Sequence, residues 1–337
     1  MQKTINDSLD RPFRDLRISV TDRCNFRCTY CMPAEIFGEK YQFLPKAKLL
    51  TFEEITRLAQ LLIGLGAVKI RLTGGEPLVR TNVEQLVSMI SKLSGLEDLT
   101  MTTNGYLLPQ KAQLLKDAGL NRISISLDSL DEETFKLMNG RGFSTSKVLE
   151  GISAAEKVGF SPLKINVVVQ RNVNDSSILD MARYFKERGH TVRFIEYMDV
   201  GNRNGWKLDQ VVSAEEIVAK IDAEMPLEPI SNDYRGEVAS RYRYKDGSGE
   251  IGIISSVSNP FCGDCTRLRL SPEGRIVTCL FASLGTDLLE PIRSGATDLE
   301  LTDLVTRVWR NRSDRYSEQR SSMTEHTEKV EMYHIGG

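Results

Sequence analysis

Six short runs of the chain alternate apolar and polar residues with period two, and between most of them apolar residues recur at helical spacing. The period-two runs predict strands at Leu16–Val20, Val68–Thr73, Leu99–Thr103, Arg122–Leu127, Leu163–Val169 and Val192–Tyr197. The helical runs predict helices ending near Gly64 and spanning Val83–Leu93, Gln110–Ala118, Lys147–Val158 and Ser176–Arg188. Thr51-Phe52-Glu53-Glu54 starts the first helix as a capping box, in which hydroxyl and carboxylate satisfy N–H groups that the helix leaves free. Six strand–helix units imply a parallel sheet with right-handed crossovers. Six are too few for a closed eight-stranded barrel. The expected fold is therefore α/β, a partial (βα)6 TIM-like barrel over residues 1–197. Residues 198–337 form a C-terminal α+β extension over the barrel mouth. It contains a linker and lid at Met198–Gly236 with a helix after Ser213, and strand-like runs at Arg241–Tyr244 and Ile251–Ser255.

The strand faces say more than the strand count. A packed parallel barrel is apolar inside as well as outside. Here Leu16 and Ile18 oppose Arg17 and Ser19, and Ile70 and Leu72 oppose Arg71 and Thr73. Met101 opposes Thr102, Ile125 opposes Ser124 and Ser126, and Ile165 opposes Lys164 and Asn166. The apolar faces must pack on the outer helices, so the polar faces line a wet lumen. Arg17, Arg71 and Lys164 make that lumen basic, and Arg193 joins them from the sixth strand. Sequestered cations need partners. Either Asp128 and neighbouring carboxylates neutralise them, or an anionic ligand such as a triphosphate does. Lys69 and Arg122 lie earlier on their strands, toward the opposite mouth.

Composition narrows the class. Of 337 residues, 40% are hydrophobic and 27% charged, as in an ordinary globular chain. No run approaches the ~18 apolar residues of a membrane span. A net charge of −2 offers no basic field for nucleic acid. The start, Met1-Gln2-Lys3-Thr4-Ile5-Asn6-Asp7, has no signal-peptide character, so the chain is expected to be cytoplasmic with reduced thiols.

All six cysteines fall into two triplets, Cys24, Cys28, Cys31 and Cys262, Cys265, Cys279. Three thiolates can hold three irons of a [4Fe–4S] cube and leave the fourth open. Structural zinc is the alternative, more so for the second triplet, but it takes four ligands. Of the three histidines, His190, His326 and His334, none is near a triplet in sequence. If the chain after Cys265 is extended, Cys265, Arg267 and Arg269 share one side. Two planar guanidinium forks suited to phosphate then face the space of the second triplet.

The segment Cys24-Asn25-Phe26-Arg27-Cys28-Thr29-Tyr30-Cys31-Met32-Pro33 resembles the signature of radical S-adenosylmethionine (SAM) enzymes. Gly74-Gly75-Glu76-Pro77, by itself only a turn, resembles their SAM-binding loop. A fuller resemblance, over nearly the whole chain, is to the GTP 3′,8-cyclase family, which opens molybdenum cofactor biosynthesis. It rests on Asp15 to Cys24, Arg71 to Pro77, Thr102-Thr103-Asn104-Gly105, Ser124 to Leu130, Phe194 to Met198 and Cys262 to Leu270. The tail Tyr333-His334-Ile335-Gly336-Gly337 is similar too.

The resemblance implies two [4Fe–4S] clusters, one on each triplet, with the second binding the guanine base. It implies SAM contacts from Tyr30, Gly75, Glu76, Ser126 and Met198, and GTP contacts from Arg17, Arg71, Thr102, Lys164, Arg193, Arg267 and Arg269. Arg17 and the tail glycines Gly336 and Gly337 would act in catalysis. Further implications are a reduced flavodoxin- or ferredoxin-type electron donor, hand-off to cyclic pyranopterin monophosphate synthase, and a homodimer. No nucleic-acid or membrane partner is implied. A radical SAM maturase acting on a peptide shares the first motif, and a non-enzymatic metal-binding sensor is the remaining alternative.

Overall fold

The computed structural model of the chain describes residues 4–320 and 328–336. Strands β1 (Asp15–Ser19), β2 (Lys69–Thr73), β3 (Asp98–Thr103), β4 (Arg122–Ser126), β5 (Lys164–Val169) and β6 (Thr191–Glu196) pair in parallel in chain order. Each lies within one residue of its expected bounds. The crossovers hold α1 (Phe52–Gly64), α2 (Val83–Ile90), α3 (Leu108–Asp117), α4 (Glu132–Asn139), α5 (Thr145–Lys157) and α6 (Ile178–Glu187). Thr51 and Glu54 form the expected capping box. The apolar strand faces pack outward, burying Leu16, Ile18, Ile70, Met101, Ile125 and Ile165 in one core with Leu62, Leu86, Ile152 and Phe185 of the helices. Full burial of each such side chain contributes roughly 1.5–3 kcal/mol.

The periodicity did not announce α4. Its core-facing hydrophobes are Phe135 and Met138, too few in eight residues for a helical pattern to stand out.

The C-terminal half adds pairings for which there was no expectation. After α7 (Ala214–Asp222) come β7 (Leu227–Ile230), β8 (Ser240–Tyr244) and β9 (Glu250–Ile254). Then follow β10 (Arg267–Leu270), β11 (Arg275–Val277) and β12 (Thr286–Asp287). These strands extend the barrel sheet itself. β9 pairs parallel to β6, and β10 pairs parallel to β1. Among the described residues the sheet order is β12-β11-β10-β1-β2-β3-β4-β5-β6-β9-β8-β7. The expected division at residue 197 therefore falls inside one continuous sheet. Helices α8 (Leu289–Arg293), α9 (Asp298–Arg310), α10 (Tyr316–Gln319) and α11 (Met332–Ile335) follow. No described helix is long and apolar enough to cross a membrane.

Candidate active site

The first cysteine loop leaves the C-terminal end of β1 and is tied down by its own residues. Arg27 donates from Nε to the Phe37 carbonyl at 2.6 Å and from Nη1 to the carbonyls of Cys24 and Phe26 at 2.8 and 2.7 Å. The end of α4 holds the same loop, with Arg27 N–H donating to Asn139 O at 2.9 Å and Thr29 N–H to Met138 O at 3.1 Å. Gly140 then turns away at φ 60°, where a Cβ would overlap the Arg27 carbonyl. Asn139 and Gly140 escaped the sequence reading because the helix carrying them did.

The Gly74–Glu76 turn seats against the other side of the loop. Gly75 N–H donates to Thr21 O at 2.8 Å and Glu76 N–H to Arg23 O at 2.8 Å. A Cβ on Gly75 would overlap Arg23 O, so this close approach requires glycine. Glu76 is buried and accepts from Thr103 Oγ1 at 2.7 Å, Asn104 N–H at 2.7 Å and Leu78 N–H at 3.0 Å. Burial pushes its carboxyl up to about 7 against those hydrogen bonds. Asp128 does not neutralise the lumen arginines. It accepts from Tyr30 OH at 2.8 Å and Val168 N–H at 2.9 Å, and burial pushes it up to about 6.

All six cysteines line one cavity of ≈ 280 Å³. Tyr30, Gly75, Glu76, Ser126 and Met198 line it as well, as do Arg17, Arg71, Thr102, Arg193, Arg267 and Arg269. The register explains the arginines. Arg17 sits between Arg71 and Arg269 on neighbouring strands, and β10 is extended, so Arg267 and Arg269 share its inward face. Apart from Arg267, which donates to Cys265 Sγ, their partners are neutral. Arg71 donates to Thr102 Oγ1 at 3.0 Å and Ser124 Oγ at 3.2 Å. Arg193 donates to Asn166 Oδ1 and Ser124 Oγ, both at 3.0 Å. Arg17 Nε has no hydrogen-bond partner among the described residues. Burial, then Arg269, Arg267 and Arg71, hold Arg17 well below the ordinary guanidinium range, with Asp15 opposing them. Burial and Arg71 bring Arg193 down to about 9, and burial and Arg267 bring Arg269 down to about 10.

Lys164 departs from its expected place. It is not among the residues lining this cavity, and burial with Arg193, Arg122 and Lys69 as neighbours brings it down to about 8. That end of the lumen is better compensated. Lys69 donates to Tyr234 OH at 2.9 Å and lies 3.7 Å from Asp98, which also pairs with Arg122.

The thiol sets suit iron–sulfur cubes. All six cysteines are free and half-buried. Burial and Glu76 push Cys24 up to about 12, and burial, Asp128 and the other two thiols push Cys28 up. Burial also raises Cys265, but Arg267 and Arg312 more than offset it and bring that thiol down to about 6. Among the described residues no three His, Cys, Asp or Glu side chains converge as they would on one ion.

The tail reaches the same space. Gly336 is buried at φ 73°, and its carbonyl accepts from Arg269 Nη1. Tyr333 OH meets Tyr41 OH at 2.7 Å, and His334 Nε2 meets Glu273 Oε1 at 2.7 Å. These anchors had no local sequence signal. Gly337 lies outside the described residues.

The chain matches the Radical SAM superfamily over residues 18–185 and Molybdenum Cofactor Synthesis C over residues 190–318. It is 53% identical over 325 residues to the GTP 3′,8-cyclase of Acidothermus cellulolyticus, covering 95% of this chain and 90% of that protein. It is 48% identical over 341 residues to the GTP 3′,8-cyclase of Staphylococcus haemolyticus, covering 100% of both. Among solved structures, Streptococcus suis SuiB bound to S-adenosylmethionine aligns with TM-score 0.63 at 14% identity, over 94% of this chain and 70% of that one. At that identity the likeness is one of fold.

Proposed function

The chain belongs to the GTP 3′,8-cyclase family of radical SAM enzymes, and from that premise we propose how its own residues carry the reaction. Its activity is the conversion of GTP to 3′,8-cyclo-7,8-dihydro-GTP, the first step of molybdenum cofactor biosynthesis, and it uses SAM and an iron–sulfur cluster. By reaction type it is a lyase. The single observation that carries the site assignment is the shared cavity, where six thiols face five arginines, of which all but Arg267 have neutral partners or none.

Cys24, Cys28 and Cys31 would hold the cluster that engages SAM, and Cys262, Cys265 and Cys279 a second cluster near the guanine base. Bound there, that cluster and SAM would supply the 5′-deoxyadenosyl radical chemistry that removes hydrogen from C3′ of the GTP ribose. Glu76 and the Gly75 backbone receive the SAM amino group, and Tyr30, Ser126 and Met198 border the rest of that molecule. Arg17, Arg71, Arg193, Arg267 and Arg269, with Thr102, hold GTP so that its C3′ radical meets C8. The triphosphate relieves their mutual repulsion, which is why they can stay charged in a desolvated lumen. Lys164 contributes from the far end of the lumen. The adduct then takes up one electron and one proton, and Arg17 stands at that step. Gly336 closes the site over Arg269 and helps keep water from the radical, and Gly337 acts with it in catalysis. The two electrons, one to cleave SAM and one for the adduct, come from a reduced flavodoxin- or ferredoxin-type protein in the cytoplasm. The product passes to cyclic pyranopterin monophosphate synthase, and the enzyme works as a homodimer.

The direct test is anaerobic turnover of reconstituted protein with SAM, dithionite and one nucleoside triphosphate at a time. The expected result is 5′-deoxyadenosine with GTP alone, together with a GTP isomer of unchanged mass. Uncoupled SAM cleavage without a nucleotide product would point instead to a peptide maturase.

The position of Glu76 sets a pH dependence. With its carboxyl raised to about 7, it is protonated below that pH, whereas the SAM ammonium favours the carboxylate. SAM affinity should rise close to tenfold per pH unit from about pH 5.5 and flatten above pH 7. Glu76→Gln should remove the slope. Calorimetric titration would measure this, and a flat wild-type profile below pH 7 would rule out the pairing.

A further inference from the structure

Four charged side chains meet beside the second triplet, and three of them, Arg11, Arg312 and Asp314, line the cavity with it. Asp7 and Arg11 come from the start of the chain, ahead of β1. Arg312 and Asp314 follow α9. The side chains of Asp7 and Arg11 are wholly excluded from solvent, and that of Arg312 is 1% exposed. Arg11 donates from Nε to Asp7 Oδ2 at 2.6 Å. Its Nη1 donates to the carbonyls of Cys262 and Asp314, both at 2.9 Å. Arg312 donates from Nε to the two carboxylate oxygens of Asp314 at 3.1 and 3.2 Å. Its Nη1 donates to Cys265 O at 2.7 Å, and its Nη2 to Cys265 Sγ at 3.1 Å. Asp7 lies 3.7 Å from the same guanidinium, which stacks 4.7 Å from the Trp309 ring centroid. Ser8 fastens the Arg312 carbonyl through its N–H at 3.3 Å and its hydroxyl at 2.5 Å.

Stability alone is a weak reason for this arrangement. Buried ion pairs of this kind are often no better for stability than apolar residues of the same volume. The network does have a common target. Two of its arginines bind the backbone carbonyls of two triplet cysteines, and one of them also binds a sulfur. Arg267 reaches that sulfur too, at 3.2 and 3.3 Å, and both arginines line the cavity; what sets Arg312 apart is how fully its donors are taken up. Every nitrogen of the Arg312 guanidinium already has a protein acceptor. Its chemistry is therefore directed at the cysteine. N–H···S hydrogen bonds and buried positive charge stabilise the more negative, reduced form of an iron–sulfur cluster.

We propose that Arg312 is a positioning residue for the second cluster. With Asp7, Arg11 and Asp314 it fixes the backbone of Cys262 and Cys265 and hydrogen-bonds the Cys265 sulfur, so that the cluster is retained and more easily reduced. This rests on the reading that the second triplet holds a cluster. Neither Asp7 nor Arg11 falls within the matched family regions, which begin at residue 18, so the clamp is built partly from a segment outside them.

The test uses the full chain, reconstituted anaerobically, with iron and sulfide counted and a reductive titration followed by electron paramagnetic resonance. Added SAM perturbs the first cluster's signal and so identifies the second. Arg312→Met removes the charge and the donors at similar length. It should move the oxidised-to-reduced ratio of the second cluster about tenfold toward oxidised, about 59 mV for a one-electron couple, or shed that cluster's iron. The first cluster's response to SAM should not change. Arg312→Lys keeps the charge but cannot bridge carbonyl, sulfur and carboxylate together, so it should fall between. Wild-type iron content and titration in both variants would overturn the proposal. If Arg312→Met loses both clusters at once, Arg312→Lys decides, and an unshifted titration in it is again fatal. A wild-type protein with iron for one cube rather than about eight irons would overturn the two-cluster reading itself, and this inference with it.

Discussion

Cys28→Ala should reduce 5′-deoxyadenosine formation to the assay background and remove one cluster's share of the iron, while the chain stays folded. The loop does not depend on the Cys28 sulfur for its shape. Its scaffold is the Arg27 side chain, the carbonyls of Met138 and Asn139, and the Cys28 carbonyl, which accepts from Cys31 and Met32 N–H at 2.9 and 2.8 Å. All of these survive the substitution. What goes is one of three thiolates, and a cube held by two cysteines has lost a corner. Cys262→Ala should behave differently, keeping SAM binding and the first cluster but losing the cyclised nucleotide. Iron counting and mass spectrometry of both products separate the two cases. Persistent deoxyadenosine from Cys28→Ala would remove the first triplet from the chemistry.

Gly336→Ala should lower turnover by a factor of about five to about 160 with both clusters and SAM binding intact. Gly336 sits at φ 73° and ψ 130°, a conformation nearly reserved for glycine and costing about 1–3 kcal/mol in any other residue. A Cβ there would also overlap Cγ2 of Thr73, the residue before the Gly74 turn. Each 1.36 kcal/mol is tenfold in rate if the docked tail is the reactive form, hence the range. The expelled tail would also withdraw the carbonyl that Arg269 holds. Hydrogen exchange should report loss of protection over 332–336. Pairing the change with Thr73→Ser, which removes Cγ2, should restore part of the rate, because it relieves the overlap but not the backbone strain. Wild-type turnover in Gly336→Ala would show that the tail is a bystander.

The six barrel strands were legible because their signal is local. Alternation along five residues records which face meets the helices, so bounds fell within one residue. Helix α4 was not legible, since two buried hydrophobes carry no period, and Asn139 and Gly140 went unnoticed with it. The strand-like runs at β8 and β9 were visible, but their partners were not. A run can show that it is extended without showing that it will pair with β6.

The same distinction runs through the site. The sequence by itself determined the two thiol triplets, the glycine turn that can approach a backbone closely, and the cations on the inward strand faces. All of these follow from residue type and spacing. Only the tertiary structure decided that the two triplets line one cavity, because β10 returns to pair beside β1. It also decided that Asp128 is taken up by Tyr30 and Val168, leaving Arg71 and Arg193 with neutral partners. It set Lys164 with Lys69 and Arg122 at the far end, and it brought Asp7 and Arg11 against Arg312. The physical reason is that charge balance and ligand geometry depend on distances through space. Strand pairing sets those distances between segments that lie far apart along the chain.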